Sequence, residues 1–175
     1  GPRHDARIAR VAVGGTENVV AACLESAACT RLVFVSSTSV LSDGRWGDDE
    51  GAVGRGHSTE RASTYGLTKL RAERHVLERC EGHARLKAVS VRPHVVFGPG
   101  DALMTESMLF GAFPPPAMGS GAKTYTPIYV KNLAGCLAHL ATASRAVGVL
   151  NVGDAHARVD ELRGLLVSCR AAPAH

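Results

Sequence analysis

The sequence predicts an α/β fold, a parallel sheet with helices on both faces, and three features support this prediction. Residues 31–37 form a short apolar run rich in β-branched side chains, which is typical of a parallel strand buried on both faces. Residues 86–92, continued through 95–97, form a second strand pattern. Residues 63–80 lie between them with an amphipathic helical pattern. This order of strand, helix and strand indicates parallel strands joined by a crossover.

The helix predicted over residues 63–80 has separate apolar and polar faces. Its apolar stripe consists of Leu70, Ala72, Val76, Leu77 and Cys80. The residues expected to face water are Arg71, Glu73, Arg74, Glu78 and Arg79. Further helices are predicted over residues 130–143 and 159–169.

Another helical pattern precedes the first strand and includes the pair Gly14 and Gly15. Its apolar positions are Ile8, Val11, Ala12, Gly15, Val19, Ala22 and Cys23. A glycine inside a helix costs about 1 kcal/mol relative to alanine, so we expect this pair to permit close packing of another helix.

Residues 42–62 have neither a helical nor a strand period and are predicted to form a loop. At about twenty residues this loop exceeds the usual connection, and such loops are more often functional or mobile than idle. We expect Trp46 to anchor the loop by packing rather than to contact a substrate, because tryptophans are usually mostly buried.

Tyr65 and Lys69 are the most informative pair of residues in the chain. Four residues apart on a helix, two side chains lie on one face, about 6 Å apart along the axis. An ammonium at that distance stabilises the phenolate and lets the tyrosine hydroxyl donate or accept a proton near neutral pH. A serine hydroxyl could hold the same carbonyl oxygen while a cofactor transfers hydride. The pair therefore points to hydride transfer; the alternative is an exposed helix with a partly packed tyrosine and a solvated lysine.

Ser36 and Ser37 are candidate hydroxyls because they end the first predicted strand. The carboxyl ends of parallel strands border the ligand crevice of an open α/β sheet. Both serines remain candidates, since a slip of one residue turns a strand side chain to the opposite face. The alternative is a strand that simply ends in turn-forming serines.

Composition excludes several classes of function. The chain has 175 residues, within the usual range for one domain, and a formal net charge of +4. Its arginines are dispersed and its aromatic residues are few, which argues against a nucleic-acid partner. No apolar stretch approaches the ~20 residues of a membrane-spanning helix, and the start is too polar for a signal peptide. Membrane association is therefore not indicated, and a cytoplasmic location is expected.

The cysteines and histidines do not form a metal-binding pattern. Five cysteines with no Cys-x-x-Cys spacing predict reduced thiols in a cytosolic setting. The eight histidines include no pair at helical i, i+3 or i+4 spacing. We therefore expect no metal site.

Five segments, in order along the chain, resemble the extended short-chain dehydrogenase/reductase superfamily. They are residues 13–23, Val35-Ser36-Ser37, Tyr65-Gly66-Leu67-Thr68-Lys69 with Glu73, Val91-Arg92-Pro93, and Phe97-Gly98-Pro99-Gly100-Asp101. Residues 125–134 and 148–154 are similar to later segments of the family. The most similar branch holds the 3β-hydroxysteroid dehydrogenase/isomerases, sterol dehydrogenases and dihydroflavonol-type reductases, with nucleotide-sugar epimerases as the neighbouring branch. The resemblance implies an NAD(P)-dependent oxidoreductase on a partial Rossmann-like, doubly wound parallel sheet.

The resemblance also implies roles for the candidate residues. Tyr65 would be the catalytic acid/base, and Lys69 would tune its ionisation and bind the nicotinamide ribose. Ser37 would orient the substrate carbonyl. Ser36 is the nearest competitor for that role and is otherwise expected among the cofactor-binding residues.

The segment after the second strand is implied to contact the cofactor, NAD or NADP. Pro93, His94 and Val95 would meet the nicotinamide carboxamide, although an ordinary half-buried histidine is the preferred interpretation of His94. Residues 101–130 and 155–175 would contribute a small substrate-binding part whose Met, Leu and Phe content suits a small apolar substrate such as a sterol, with core packing as the alternative. Residues 1–175 as a whole are expected to form one truncated NAD(P)-binding domain.

The chain departs from the family pattern near its start. Family members have a glycine-rich turn after their first strand, which holds the cofactor pyrophosphate, and this sequence contains no such turn. Ala12 stands where relatives have asparagine, and Lys131 replaces a usual acidic residue. We therefore expect the chain to form only the C-terminal half of the family's sheet.

Such a half sheet would leave the strand at residues 31–36 with an uncovered edge. Unpaired N–H and C=O groups on that edge invite pairing, so a homo-oligomer or a chain covering the edge is expected. Three functions remain open at this point. They are a hydroxysteroid-dehydrogenase-type oxidoreductase acting on a secondary alcohol or ketone, a catalytically inactive fragment or interaction module that pairs through its edge, and a nucleotide-sugar epimerase or dehydratase.

Overall fold

The computed structural model describes residues 7–41, 64–101, 124–142, 145–154 and 157–158, and its elements follow the predicted order. The helical stretch of residues 7–25 contains a π-helical turn, Arg10–Gly14, and then α1, Gly15–Glu25. The later elements are β1 (Arg31–Val35), a 3₁₀ turn (Thr38–Leu41), α2 (Thr64–Cys80), β2 (Lys87–Pro93), β3 (Val96–Phe97), β4 (Thr124–Tyr125), β5 (Ile128–Tyr129), α3 (Val130–Thr142), β6 (Gly148–Val152) and β7 (Ala157–Arg158).

Some predicted segments lie outside the described residues. These are the loop at 42–62 with Trp46, the helix at 159–169, and most of the predicted substrate-binding part. The helices predicted over 63–80 and 130–143 are confirmed as α2 and α3.

The main sheet has the strand order β1-β2-β6. β1 and β2 are parallel, with Arg31 opposite Lys87 and Val35 opposite Val91, and α2 lies between them in sequence. The predicted α/β class with a parallel sheet is therefore confirmed. Among the described strands, β1 stands at the edge of this sheet.

The exposure of β1 corrects the prediction that this strand is buried on both faces. Residues 31–34 have intermediate exposure, and Val35 is 38% exposed. β2, in contrast, is buried along almost its whole length. The apolar run alone predicted burial on both faces. Within the described residues β1 has a strand neighbour on one side only, which is the edge position expected of a half sheet.

The core of this part of the chain joins α1, α2 and β2. Its fully buried members are Val20, Val76, Cys80, Leu86 and Ala88. Val76 and Cys80 belong to the predicted apolar stripe of α2, which confirms that face of the helix. Burying one such aliphatic side chain contributes about 1.5–3 kcal/mol, so this contact is the main force that holds the helices on the sheet.

Two arginines bind the C-terminal ends of helices. Arg31 Nε donates to the carbonyl oxygen of Leu140 at 2.9 Å, and its Nη2 donates to Ala146 O. Arg85 Nη2 donates to Leu24 O at 3.2 Å. The last carbonyls of a helix have no partner within the helix, so a guanidinium there satisfies them and interacts favourably with the helix dipole.

Gly14 and Gly15 lie inside a helix, as predicted, but their expected role in helix packing is wrong for the described residues. Both have a helical φ of −61°. A Cβ added at either position would meet no atom within 4 Å. The surface at this pair is therefore open.

Contacts divide the chain into two compact units. One comprises Gly1–Pro93 with Cys136–Asn151, and the other His94–Gly135 with Val152–His175. None of the described helices has the length and apolar character that crossing a membrane requires.

Glu73 is buried, which corrects the prediction that it faces water. It is 1% exposed, and it accepts hydrogen bonds from Ser90 Oγ at 2.7 Å and from Arg92 Nε at 3.0 Å. Arg92 Nη2 completes a bidentate ion pair, and Arg92 is itself 1% exposed. The helical pattern treated every charged side chain as a surface residue, whereas the partners of this carboxylate come from β2.

The ionisation of Glu73 follows from its surroundings. Burial acts to raise the pKa of Glu73, but hydrogen bonds from Arg92 and Ser90, together with the Arg92 charge, outweigh burial and lower the pKa below the ordinary value. The Glu73 carboxylate is therefore ionised at neutral pH. Because Glu73 and Arg92 are both buried, each charge needs the other to offset its loss of hydration.

Removing one partner of this pair should be much more harmful than removing both. We expect Glu73→Gln or Arg92→Met to lower the free energy of unfolding by about 3–5 kcal/mol, because each leaves a buried polar or charged group uncompensated. The double variant Glu73→Met/Arg92→Met should lose far less. Urea denaturation measures these values, and Glu78→Gln, on the exposed face of α2, is the matched control. A double variant as unstable as the sum of the single variants would contradict this expectation.

Acid should weaken the pair as well. Because the folded-state pKa of Glu73 is lowered, its contribution to stability is present above the pKa of an ordinary glutamate and is lost as the pH falls through the folded-state pKa. Wild type should therefore lose more stability on acidification than the double methionine variant. Denaturation curves recorded from neutral to acid pH test this, and equal losses in the two proteins would exclude it.

Candidate active site

Tyr65 and Lys69 lie in the first turns of α2, one helical turn apart, as their spacing predicts. The Tyr65 side chain is at the surface, since this residue is 49% exposed. Thr68 Oγ1 donates to the Tyr65 carbonyl at 2.8 Å, and Gly66 and Thr68 are buried. The buried side of α2 therefore holds its first turn in place, and the Tyr65 phenol remains accessible to solvent.

The Lys69 ammonium reaches the carboxyl end of β1. Its Nζ donates to the carbonyl oxygen of Val35 at 2.9 Å and lies 5.3 Å from the centre of the Phe34 ring. Burial lowers the pKa of Lys69, while the carbonyl and the aromatic face interact favourably with its charge. This contact joins the helix that carries Tyr65 to the strand that the two serines follow.

The two serines after β1 have different surroundings. Ser36 N donates to Val91 O at 2.7 Å, and Ser36 is only 3% exposed. Among the described residues its Oγ has no hydrogen-bond partner of good geometry, although the hydroxyl is near enough to Glu73 to favour the carboxylate. Ser37 Oγ accepts hydrogen bonds from Ser39 N at 3.2 Å and from Ser39 Oγ at 2.9 Å. Since Ser37 Oγ accepts in both, its own hydrogen can be donated elsewhere.

The candidate cofactor segment follows the end of β2. Pro93 is the last residue of β2 and is buried. His94 N donates to Val152 O at 3.1 Å, and Val95 O accepts from Ile128 N at 2.9 Å. These two backbone groups are therefore engaged within the protein, and the proposed cofactor contacts of the segment stay a prediction.

The compact units separate the candidate residues into two groups. Ser36, Ser37, Tyr65, Lys69 and Pro93 belong to the first unit, and His94 and Val95 belong to the second. The structure brings α2 together with the end of β1 through Lys69.

Sequence reasoning missed the polar cluster of Glu73, Ser90 and Arg92 below this site. Glu73 stands one helical turn after Lys69, and its partners lie on β2, the neighbour of β1. An arginine inside an otherwise apolar strand was the signal available, because a charge there needs a buried partner.

Only part of the site fits a nicotinamide cofactor. Lys69, Tyr65 and Ser37 supply the ammonium and hydroxyl groups that a ribose and a substrate oxygen require. At Gly14 and Gly15 the backbone is helical, and Gly15 N donates to Val11 O, so this pair provides no cradle for a pyrophosphate. Among the residues that the structure describes, the fit is therefore confined to the nicotinamide end.

No metal site is found in the described part of the chain, where no three His, Cys, Asp or Glu side chains are grouped suitably. The four cysteines within that part are free thiols. They are Cys23, Cys29, Cys80 and Cys136.

Comparison with known sequences decides the family. Residues 1–147 match the model of the 3-beta hydroxysteroid dehydrogenase/isomerase family. The chain belongs to this family. The resemblance to extended short-chain dehydrogenases found in the sequence is thereby confirmed.

Curated relatives of this 3β-hydroxysteroid dehydrogenase family member are longer than the chain. One is 3beta-hydroxysteroid-dehydrogenase/decarboxylase isoform 2 of Arabidopsis thaliana, 32% identical over 127 residues, which are 71% of this chain and 22% of the relative. Another is 2-alkyl-3-oxoalkanoate reductase of Stenotrophomonas maltophilia, 32% identical over 150 residues, 81% of this chain and 43% of the relative. The matched region thus covers less than half the length of either relative.

Solved structures share the fold. MoeE5 in complex with UDP-glucuronic acid and NAD has a TM-score of 0.72 and 28% identity, and the match covers 91% of this chain and 54% of that one. A putative epimerase from Burkholderia cenocepacia J2315 has a TM-score of 0.76 at 19% identity, covering 96% and 55%. These matches confirm the partial Rossmann-like fold, and the chain aligns with about half of each structure.

The buried environment of Lys69 should appear in the pH dependence of stability. Burial lowers the folded-state pKa of Lys69, so its partly desolvated charge destabilises the fold at pH values below that pKa. This destabilisation disappears as the pH rises towards the unfolded-chain pKa near ~10.4. Wild type should therefore gain stability relative to Lys69→Met between neutral pH and about pH 10. Urea denaturation at several pH values measures the difference.

The matched control is Lys131→Met, since Lys131 is exposed on α3. Its difference from wild type over the same pH range serves as the baseline for removing an exposed lysine. A Lys69→Met difference that follows this baseline would show that the Lys69 ammonium is not desolvated in solution.

Proposed function

We propose that the chain carries the catalytic part of an NAD(P)-dependent oxidoreductase that interconverts a secondary alcohol and its ketone. The observation that carries this proposal is the hydrogen bond from Lys69 Nζ to Val35 O. It holds the ammonium of a residue one helical turn after Tyr65 at the end of the strand that Ser37 follows. Membership of the 3-beta hydroxysteroid dehydrogenase/isomerase family supports the same chemistry.

Tyr65 would be the acid/base of the reaction. Its exposure leaves the phenol free to give a proton to the substrate oxygen during reduction or to take one during oxidation. Ser37 would donate its hydroxyl hydrogen to the same substrate oxygen. When bound, the nicotinamide cofactor supplies or accepts the hydride at the substrate carbon.

Lys69 would also hold the nicotinamide ribose. Contacts of Pro93, His94 and Val95 with the carboxamide stay a prediction from the family resemblance. Ser36 is buried next to Glu73, which favours a supporting role for it and leaves Ser37 as the hydroxyl that meets substrate. MoeE5 was solved in complex with NAD, which supports NAD or NADP as the cofactor here.

The substrate we propose is apolar and carries oxygen at a secondary carbon, as a 3β-hydroxysterol does. Two relatives from Arabidopsis thaliana are named 3beta-hydroxysteroid-dehydrogenase/decarboxylase, and a bacterial relative is named 2-alkyl-3-oxoalkanoate reductase. A 3-hydroxy or 3-oxo group is common to those names.

A nucleotide-sugar epimerase or dehydratase is the second candidate. MoeE5, 28% identical to this chain, was solved with UDP-glucuronic acid and NAD. An epimerase of this kind would retain oxidised cofactor through purification, which absorbance of the denatured protein's supernatant can detect.

An interaction module that pairs through a sheet edge is the third candidate. The edge position of β1 within the described sheet supports it. Absence of cofactor binding together with concentration-dependent association would favour this candidate over both enzymes.

Turnover should depend on Tyr65 more than cofactor affinity does. With NAD or NADP and a 3β-hydroxysterol, we expect Tyr65→Phe to reduce kcat by about 10²–10⁴-fold, because it removes the acid/base, and to leave the cofactor Kd nearly unchanged. Fluorescence of the reduced nicotinamide follows its formation during turnover and, in a titration with NADH or NADPH, gives the cofactor Kd. Tyr129→Phe is the matched control, since Tyr129 is not among the proposed site residues and its ring packs against that of Phe97. A Tyr65→Phe variant with wild-type turnover would remove Tyr65 from the mechanism.

A further inference from the structure

Three cysteine thiols meet where α1, α2 and the start of β1 pack together. Cys23 lies in the last turn of α1, Cys29 comes two residues before β1, and Cys80 is the last residue of α2. Cys80 is a buried member of the core, and Cys23 and Cys29 pack against the same core while each remains half-buried. The fold therefore groups three free thiols that no Cys-x-x-Cys motif links in the sequence.

Cys23 and Cys29 interact directly through their sulfur atoms. The Cys23 thiol donates a hydrogen bond to the Cys29 sulfur. The Cys29 thiol in turn donates to the carbonyl oxygen of Arg31 at 3.7 Å. Within the described residues, Cys80 interacts with these two sulfurs through charge and not through a hydrogen bond. Cys23 and Cys29 are therefore the pair whose sulfurs are best placed to bond to each other.

The chain between these two cysteines allows a disulfide to form and to be reduced again. A disulfide needs its two Cα atoms within about 7 Å of each other. Residues 26–30 form neither helix nor strand, so Cys29 can shift towards the end of α1 without unwinding α1 or β1. The bond would close a loop of seven residues, and a loop this short gains less stability from a cross-link than a long one.

The surroundings of the thiols set the order in which they react. Burial, the hydrogen bond to Cys29 and the charges that Cys29 and Cys80 carry when ionised all raise the pKa of Cys23. Burial raises the pKa of Cys80 as well. Because the thiolate and not the thiol attacks a disulfide, a thiolate on Cys29 reacts while Cys23 still holds its proton.

We propose that Cys23 and Cys29 form a redox-active dithiol that a small-molecule disulfide such as glutathione disulfide oxidises reversibly. The Cys29 thiolate attacks one sulfur of the small disulfide, which gives a mixed disulfide and releases one glutathione thiolate. Cys23 then loses its proton to solvent, its sulfur bonds to that of Cys29, and the second glutathione leaves as a thiolate. The two electrons lost by the pair reduce the small disulfide to two thiols.

None of the three cysteines belongs to the candidate active site. Oxidation of the dithiol can therefore be measured without substrate or nicotinamide cofactor, and its outcome does not decide the proposed function.

Trypsin distinguishes the possible disulfides, because residues 11–31 contain both Cys23 and Cys29 and no lysine or arginine before Arg31. The folded protein is incubated with glutathione disulfide, quenched with acid, alkylated in denaturant and digested for mass spectrometry. We expect the peptide of residues 11–31 to be lighter by two hydrogen atoms and to carry no alkyl group. A bond to Cys80 would instead join it to the peptide of residues 80–85. That product, or a peptide 11–31 alkylated at both cysteines, would overturn the proposal.

Variants test the separate roles of the two sulfurs. Cys23→Ser should accumulate the glutathione adduct of Cys29 at least about tenfold above wild type, because no second thiol resolves it. Cys80→Ala should form the pair as wild type does, and Cys136→Ser, on α3, is the matched control. Circular dichroism checks that each variant is folded. A Cys23→Ser variant without the Cys29 adduct would contradict the proposed order of attack.

The fold, and not only closeness in sequence, should favour the bond. Glutathione buffers of graded composition give the equilibrium constant for forming the pair in the native protein and in the protein unfolded in urea. A cross-link that stabilises the native state is favoured by that state to the same extent, so we expect a native constant at least about tenfold larger. Equal constants would show that the structure does not hold the two thiols together.

Discussion

The buried ion pair between Glu73 and Arg92 fixes the helix that carries the candidate site against the sheet. Each charge is out of water, so the pair is favourable only in the geometry in which both arms of the guanidinium meet the carboxylate. This geometry sets the position of α2 along β2. Lys69 stands one turn before Glu73, so the same constraint determines where its ammonium meets Val35.

Folding stability and the proposed chemistry favour different environments for the charge of Lys69. The core below it is apolar and tightly buried, as a stable fold requires. Lys69 is a cation held partly out of water, which is unfavourable for folding but suits the role proposed for it beside Tyr65. The Glu73–Arg92 pair and the core contacts of Val76 and Cys80 hold the helix in place despite that cost.

Much of the fold could be predicted because it is encoded in local periodicity. The apolar stripe of α2 and the β-branched run of β1 indicated both elements and their order. The burial of Glu73 could not be predicted in this way, since its partners Ser90 and Arg92 come from a separate strand. The half-exposure of β1 did not follow from its apolar composition, although the expected half sheet already placed this strand at an edge.

The candidate site, like the fold, could be predicted only in part from the sequence. The spacing of Tyr65 and Lys69 was sufficient to place both in one helix, but the contact of Lys69 with Val35 depends on the separation of helix and strand. The sequence left Ser36 and Ser37 open. Their burial and hydrogen bonds, which favour Ser37 for substrate contact, follow from the packing of β1 beside β2.

The pKa of Lys69 in wild type and in Glu73→Gln, measured by NMR from its side-chain Cε resonance, tests most directly whether the buried pair holds this helix in place. Losing the nearby carboxylate would by itself lower the pKa of Lys69. If the pair holds the ammonium in its desolvated contact, the variant should release Lys69 to water, and its pKa should rise towards the ordinary lysine value. An unchanged or further lowered pKa in a folded Glu73→Gln variant would contradict the account.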